Sequence, residues 1–227
     1  MTAAGAVLEI SNLLVGYAGA PVCGAITASA DVGEILGVVG FNGAGKSTAA
    51  RTIAGKQLML DGEVRVHGLP ANEDAIPFRR QVAALFDEDA FFPSLSLREH
   101  LQLVARGHGV ADPAAVDAEL DFFGLQDRAD AVPESVSSGQ RRRLLLASAL
   151  IRPSSLLILD EPEQRLDPVM RERVGKRIRR YADDGGTVLL VTHDPALLLA
   201  TAGRCLLIDD EVQEIEPALA AAEIAGR

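Results

Sequence analysis

Gly40-Phe41-Asn42-Gly43-Ala44-Gly45-Lys46-Ser47-Thr48 follows directly on the apolar run Ile35–Val39. This is the spacing G-x-x-x-x-G-K-[ST], with Gly43 as an extra glycine inside the loop. Glycines let successive backbone N–H groups converge on one centre, which makes an anion cradle, and the following helix aims its positive end at the same point. A lysine at the position of Lys46 reaches β- and γ-phosphates as a point charge, and a hydroxyl at Ser47 is a hard oxygen suited to Mg²⁺. Further along, Leu156-Leu157-Ile158-Leu159 ends in the carboxylates Asp160 and Glu161. An apolar strand carries Asp160 to a sheet edge, where it can hold Mg²⁺, and sets Glu161 where it can polarise an attacking water. Between these motifs, Ser137-Ser138-Gly139-Gln140 precedes an apolar helical run. Ser-x-Gly at a helix start is a second anion grip. One compact unit rarely needs two such grips so far apart, whereas two copies packed head to tail would use both.

The elements that must carry these residues alternate short β-rich runs with longer helical patterns. Strands are predicted at Val7–Ile10, Ile35–Val39, Gly62–Val66, Val82–Phe86, Leu156–Asp160, Thr187–Thr192 and Cys205–Ile208. Most are nearly all apolar, as expected for strands buried on both faces of a largely parallel sheet. The pieces near 7–10 and 62–66 lie among turn residues and predict a small antiparallel sheet at one edge. From about Pro93 to Ser135 no strand is evident; Leu97–Ala105 and Ala114–Phe123 read as helices, broken at Gly107-His108-Gly109 and Pro113. The apolar helix Arg141–Ile151 follows the Ser-x-Gly segment, and the Ala-rich tail from Pro217 to Arg227 is predicted as a short helix. The predicted class is α/β: a P-loop NTPase core with a largely parallel sheet, a small N-terminal antiparallel β subdomain and an inserted α-helical subdomain. Residues 1–227 form one domain, about 1–92 and 152–227 making the core and about 93–151 the helical part.

Composition narrows the class further. The chain has 48% apolar and 24% charged residues, a balance that supports a real core in a soluble protein. No apolar stretch is long enough to span a bilayer, and Met1–Gly5 lacks the start of a signal peptide. Cys23 and Cys205 form no metal or redox pattern. The net charge of −10 argues against general nucleic-acid binding. The charged run Arg171–Arg180 reads as a solvated helix face rather than a contact for RNA or anionic lipid.

In order and spacing these motifs resemble the nucleotide-binding subunits of ABC transporters over essentially the whole chain. Gly40–Thr48 resembles Walker A, and Leu156–Glu161 resembles Walker B with its glutamate. Val136–Gln140 is similar to the signature Leu-Ser-Gly-Gly-Gln, Leu166-Asp167 to the end of the D-loop, and His193 to the switch histidine. The resemblance implies two subunits, identical or different, closing on two Mg-ATP. Gly40, Asn42, Gly43, Ala44, Gly45, Lys46, Ser47 and Thr48 would come from one subunit, with Tyr17 against adenine. Ser137, Gly139 and Gln140 would come from the other. Glu161 would be the general base, with Lys46 and His193 assisting. Ser47 and Asp160 would hold Mg²⁺.

Three positions depart from the pattern. Asp87 stands where the family has a Gln that offers a neutral oxygen to Mg²⁺; as a carboxylate it remains a candidate ligand but repels the γ-phosphate when the metal is absent. Ser138 replaces the first signature glycine. Glu163-Gln164-Arg165 replaces the usual small residues of the D-loop. With Lys46, Asp160, Glu161 and His193 all present, ATP hydrolysis is still expected. The implied function is the ATPase subunit of a membrane transporter, cytoplasmic and held peripherally to the inner face of the membrane by a separate transmembrane permease. A permease's amphipathic basic helix is expected near Asp87–Arg98, where Asp87, Glu88 and Asp89 accompany Phe91, Phe92 and Leu95. The rival reading is a soluble ABC-type ATPase serving as an assembly factor, like those of iron–sulfur assembly. A GTPase or small-molecule kinase is weaker, since no Asn-Lys-x-Asp guanine reader occurs.

Overall fold

A computed structural model describes residues 6–88 and 90–226; Met1–Gly5, Asp89 and Arg227, which the sequence reading touches, lie outside the described residues. The chain separates into two compact units. Among the described residues, the first lies within 1–86, 154–163 and 172–227, and the second within 87–153 and 164–171.

The first unit is built on two main sheets. The antiparallel sheet runs β4(Ile26–Ala30)–β1(Leu8–Leu14)–β6(Asp61–Val66)–β7(Leu69–Pro70). Leu8, Ile10 and Leu13 of β1 point inward while Glu9 and Ser11 point out. The alternation slips by one between Ile10 and Leu13, where pairing to β4 is irregular and Asn12 takes φ 47°. That is the signature of a bulge, which inserts one residue and restores Leu13 to the core face. A separate hairpin pairs β2(Gly16–Tyr17) with β3(Ala20–Pro21). Its loop residues Ala18 and Gly19 both have positive φ, as a tight two-residue turn between right-twisted strands requires.

The larger sheet has the order β12(Gln213–Ile215)–β11(Arg204–Ile208)–β5(Ile35–Gly40)–β10(Thr187–Val191)–β9(Leu156–Asp160)–β8(Val82–Leu85). Every pairing is parallel except that of β12. All residues of β5, β9 and β10 are buried, because both faces of these strands are covered. Helix α1(Lys46–Ile53) packs across β5, β10 and β9, while α2(Ile76–Gln81) leads into β8. The C-terminal ends of β5, β9 and β10 therefore bring the phosphate-type loop, Asp160-Glu161 and Thr192-His193 to one edge, the place where open α/β sheets bind ligands.

The second unit is helical, with α3(Leu97–Gly107), α4(Pro113–Phe122) and α5(Ser138–Leu150) in mutual contact. Leu97, Leu101, Val116 and Leu120 are fully or almost fully buried. Ser96 and Glu99 form a capping box at the start of α3, and Asp112 caps α4 just ahead of Pro113. The α3–α4 break thus falls at the predicted Gly107 and Pro113. Helix α6(Pro168–Asp183) starts in this unit and continues into the first, which also holds α7(Pro195–Thr201) and α8(Pro217–Ala225). The cationic run on α6 is a solvated face: Lys176 pairs with Glu172, Arg179 with Asp183 and Arg180 with Asp184, all exposed i,i+4 pairs. No helix among the described residues is long and apolar enough to cross a membrane.

Candidate functional site

Gly45 is the N-cap of α1, with φ 92°, and a Cβ there would lie 2.7 Å from Val22 Cγ2. Both the left-handed backbone and the close approach demand glycine. The helix start has no side-chain cap and no acidic residue in its first turn. No carboxylate of its own first turn thus competes for its N–H groups, the electrostatic arrangement that favours a bound anion. Lys46 is only 5% exposed, and its Nζ donates to the carbonyl oxygens of Gly40 (2.9 Å) and Phe41 (2.8 Å). The ammonium is thereby held at the base of the loop.

A cleft of about 300 Å³ opens over this loop, lined by Tyr17, Val22, Asn42, Gly43, Gly45, Lys46, Ser47, Thr48 and Glu161, all from the first unit. Tyr17 is 60% exposed, so it is not a core aromatic; its hydroxyl lies 3.2 Å from Thr48 Oγ1. Ala44 donates its N–H to the Phe41 carbonyl and closes the turn on which Asn42 and Gly43 sit. Val22 was not singled out from sequence, since nothing local marks it as a neighbour of Gly45.

The acidic wall of the site comes from the end of β9. Asp160 is 5% exposed. Glu161 follows in a left-handed turn, φ 49°, and its N–H donates to the Val191 carbonyl at 2.8 Å, tying it to the end of β10. His193 Nε2 stands 3.4 Å from Glu161 Oε1. Glu161 therefore faces the loop on one side and the imidazole on the other, a geometry able to accept a proton from a water between base and phosphate.

Asp160 and Ser47 present a buried carboxylate and a hydroxyl, both hard oxygen donors. Among the described residues no group of three or more His, Cys, Asp or Glu could hold a metal alone. Mg²⁺ needs no such cage, since it binds through one or two carboxylates with phosphate oxygens and waters, so these donors fit it.

Sequence reading missed the role of Glu163. The side chain is 6% exposed, and its Oε1 accepts from Thr192 Oγ1 (2.7 Å) and from the His193 N–H (2.9 Å). Burial pushes its carboxyl above the usual range, and those hydrogen bonds oppose the shift. The available signal was a third acidic residue two positions after Glu161, indistinguishable in sequence from an exposed turn.

Ser137, Gly139, Gln140 and Asp87 belong to the second unit. Ser137 caps α5 in a capping box: Gln140 N–H donates to Ser137 Oγ (3.2 Å) and Ser137 N–H to Gln140 Oε1 (2.9 Å). A Cβ on Gly139 would come within 2.9 Å of the Arg165 carbonyl oxygen, so the substituted D-loop passes close to this helix start. Arg165 is itself left-handed (φ 59°), and its guanidinium pairs with Asp87 at 3.3 Å. Two of the departures from the family pattern are thus partners of each other. Asp167 caps the first turn of α6 through the Met170 N–H (2.9 Å) and pairs with Arg143 (2.6 Å). Nearby, Phe91 and Phe92 pack against the ring of buried His100.

The profile of the family described as ABC transporter matches residues 24–164. The Nod factor export ATP-binding protein I of Rhizobium meliloti (strain 1021) is 34% identical over 189 residues, covering 82% of this chain and 56% of that protein. The chain therefore spans little more than half the length of that relative. The thiamine import ATP-binding protein ThiQ of Haemophilus influenzae is 30% identical over 207 residues, covering 89% of this chain and 95% of that protein. In fold, the chain superposes with a TM-score of 0.83 on a solved dimeric, post-hydrolysis ATP-binding cassette bound to ADP and Pi. That structure is 22% identical, with 92% of this chain and 98% of the other covered.

Proposed function

Because the chain belongs to the ABC transporter family, we propose that it is the ATP-binding, ATP-hydrolysing subunit of a membrane transporter and drives a separate permease. The observation that carries this reading is the single cleft in which Lys46 and the glycine loop form one wall and Glu161, backed by His193 at 3.4 Å, forms the other. The loop from Gly40 to Thr48 and Lys46 bind the β- and γ-phosphates, and Tyr17 lies against the base. Ser47 and Asp160 would hold Mg²⁺, which would supply neutralising charge to the phosphates. Glu161 takes the proton of the attacking water, an effect typically worth about 10²–10⁴-fold in rate. His193 orients that water and the γ-phosphate.

Ser137, Gly139 and Gln140 complete the nucleotide site of a second subunit, identical or different, so that two copies enclose two ATP. The position of these residues at the start of α5, with Ser137 its N-cap, supports this, since the positive end of a helix favours an anion. The permease docks on the segment containing Asp87, Glu88, Phe91 and Phe92, whose acidic and aromatic side chains suit an amphipathic basic helix. The subunit accordingly sits on the cytoplasmic face of the membrane through its permease. The functions of the relatives, export of Nod factor and import of thiamine, favour transport over the assembly-factor reading.

The test is Glu161→Gln with ATP on gel filtration: it should shift from monomer to dimer and lose turnover. A variant that stays monomeric and keeps hydrolysing ATP removes the assigned role. Co-purification from detergent should bring down a multi-span membrane protein; a soluble β-rich partner instead would favour the assembly factor.

A further inference from the structure

We propose that Glu163 is a positioning residue for His193, clamping the segment after β10 so that the imidazole stays against Glu161. The proposal rests on the reading of Glu161 and His193 as the water-activating pair. A carboxyl buried to this extent is costly unless hydrogen bonds compensate it. Two hydrogen bonds from distant residues enter its Oε1, from Thr192 Oγ1 and the His193 N–H, 29 and 30 residues away in sequence. Its second oxygen is buried with no hydrogen bond. The compensation from outside residue 163 therefore comes from the histidine segment, with the Glu163 N–H adding to it.

The clamp extends over three consecutive residues. Thr192 is fully buried, and its Oγ1 also accepts the Asp194 N–H at 3.0 Å. Asp194 in turn caps α7 through the N–H groups of Ala196 and Leu197. Residues 192–194 are thus bound between Glu163 and a helix start. One step earlier, the Glu161 N–H is held by the Val191 carbonyl at 2.8 Å. The two turns that follow β9 and β10 are pinned to each other twice, once at Glu161 and once at Glu163. The ring of His193 projects from between these pins, 3.4 Å from Glu161 Oε1. A neutral or apolar side chain at 163 without an acceptor would free the Thr192 hydroxyl and the His193 N–H, and the ring's placement with them.

Misplacing a catalytic group by about 1 Å costs on the order of 10²-fold. Glu163→Met, of similar length and without an acceptor, should lower kcat by about 10- to 100-fold while ATP affinity, measured by calorimetry, and KM change by less than about threefold. Glu163→Gln keeps an acceptor oxygen and should recover most of kcat. Thr192→Val, which removes one of the two donors with little change of shape, should give a smaller loss in the same direction, and it serves if Glu163→Met fails to fold. In single-turnover measurements, Glu163→Met placed in a His193→Ala background should cost almost nothing further, because the two act through one group. An equal loss in both backgrounds, or a fall in ATP affinity matching the fall in kcat, overturns the proposal and leaves Glu163 a fold-stabilising residue. If His193→Ala and Glu161→Gln themselves hydrolyse ATP normally, the underlying assignment of the pair has failed instead.

Discussion

Truncating Tyr17 should separate base recognition from phosphate recognition. The ring sits on β2, presented by the tight Ala18-Gly19 turn, and is 60% exposed at the mouth of the cleft whose floor is the loop from Asn42 to Thr48. A large exposed aromatic beside an anion cradle is placed to stack on a nucleobase. Stacking of a base on an aromatic side chain is worth about 1–3 kcal/mol by alanine substitution. Only one face of the ring can be covered while the other remains toward solvent, so the lower part of that range applies, about 1–2 kcal/mol. At 1.4 kcal/mol per tenfold, Tyr17→Ala should weaken ATP and ADP binding by about 5- to 30-fold. Tyr17→Phe keeps the ring and loses only the 3.2 Å contact to Thr48 Oγ1. That contact exists before the nucleotide arrives, so it largely cancels, and the Phe variant should bind within about threefold of the parent. Calorimetric titration with ATP, ADP and inorganic pyrophosphate reads the difference, because pyrophosphate has no base and should bind all three proteins alike. If Tyr17→Ala weakens pyrophosphate as much as ATP, the residue acts through Thr48 on the loop and the stacking argument is refuted. An unchanged ATP affinity refutes it as well.

Asp87→Gln replaces a partly exposed carboxylate, paired with Arg165 at 3.3 Å, by a neutral amide. Exposed charge interactions are worth about 0.2–1 kcal/mol, so loss of a carboxylate that attracts the cation should raise the Mg²⁺ concentration for half-maximal hydrolysis by about 1.5- to 5-fold; an unchanged metal dependence counts against any contact of Asp87 with the metal. Cys205 is fully buried, and burial, with a smaller contribution from the charge of Glu216, pushes its thiol up to about 11. Iodoacetamide at pH 8 should leave Cys205 unmodified in the native protein, because the thiolate is the nucleophile, and should label it after unfolding in guanidinium, with mass spectrometry as the readout; rapid native labelling would contradict the packing around β11.

How far the sequence revealed this architecture depended on whether a structural demand is met by residue type alone. β5, β9 and β10 were legible because burial on both faces requires an unbroken apolar run. β4 was not: Thr27, Ala28 and Ser29 separate its two inward residues, Ile26 and Ala30, and leave no apolar signal. β12, three residues at the sheet edge and mostly exposed, is invisible for the same reason. The start of α5 fell at Ser138 rather than Arg141, because the reciprocal Ser137–Gln140 cap holds Gly139 inside the first turn against its poor helix propensity. The same distinction governs the site. Gly45 announces itself, since a left-handed N-cap crowded by Val22 admits only glycine. Glu163 and the Asp87–Arg165 pair do not, because each matters only through residues that β-strand pairing or helix packing brings from elsewhere in the chain. In the sequence Glu163-Gln164-Arg165 looks like a charged loop that weakens the pattern. In the fold its first residue faces inward onto the histidine segment and its third answers the substituted Asp87. The departures at 87, 163 and 165 thus have partners within this chain, and Glu163→Met and Asp87→Gln probe those partners one at a time.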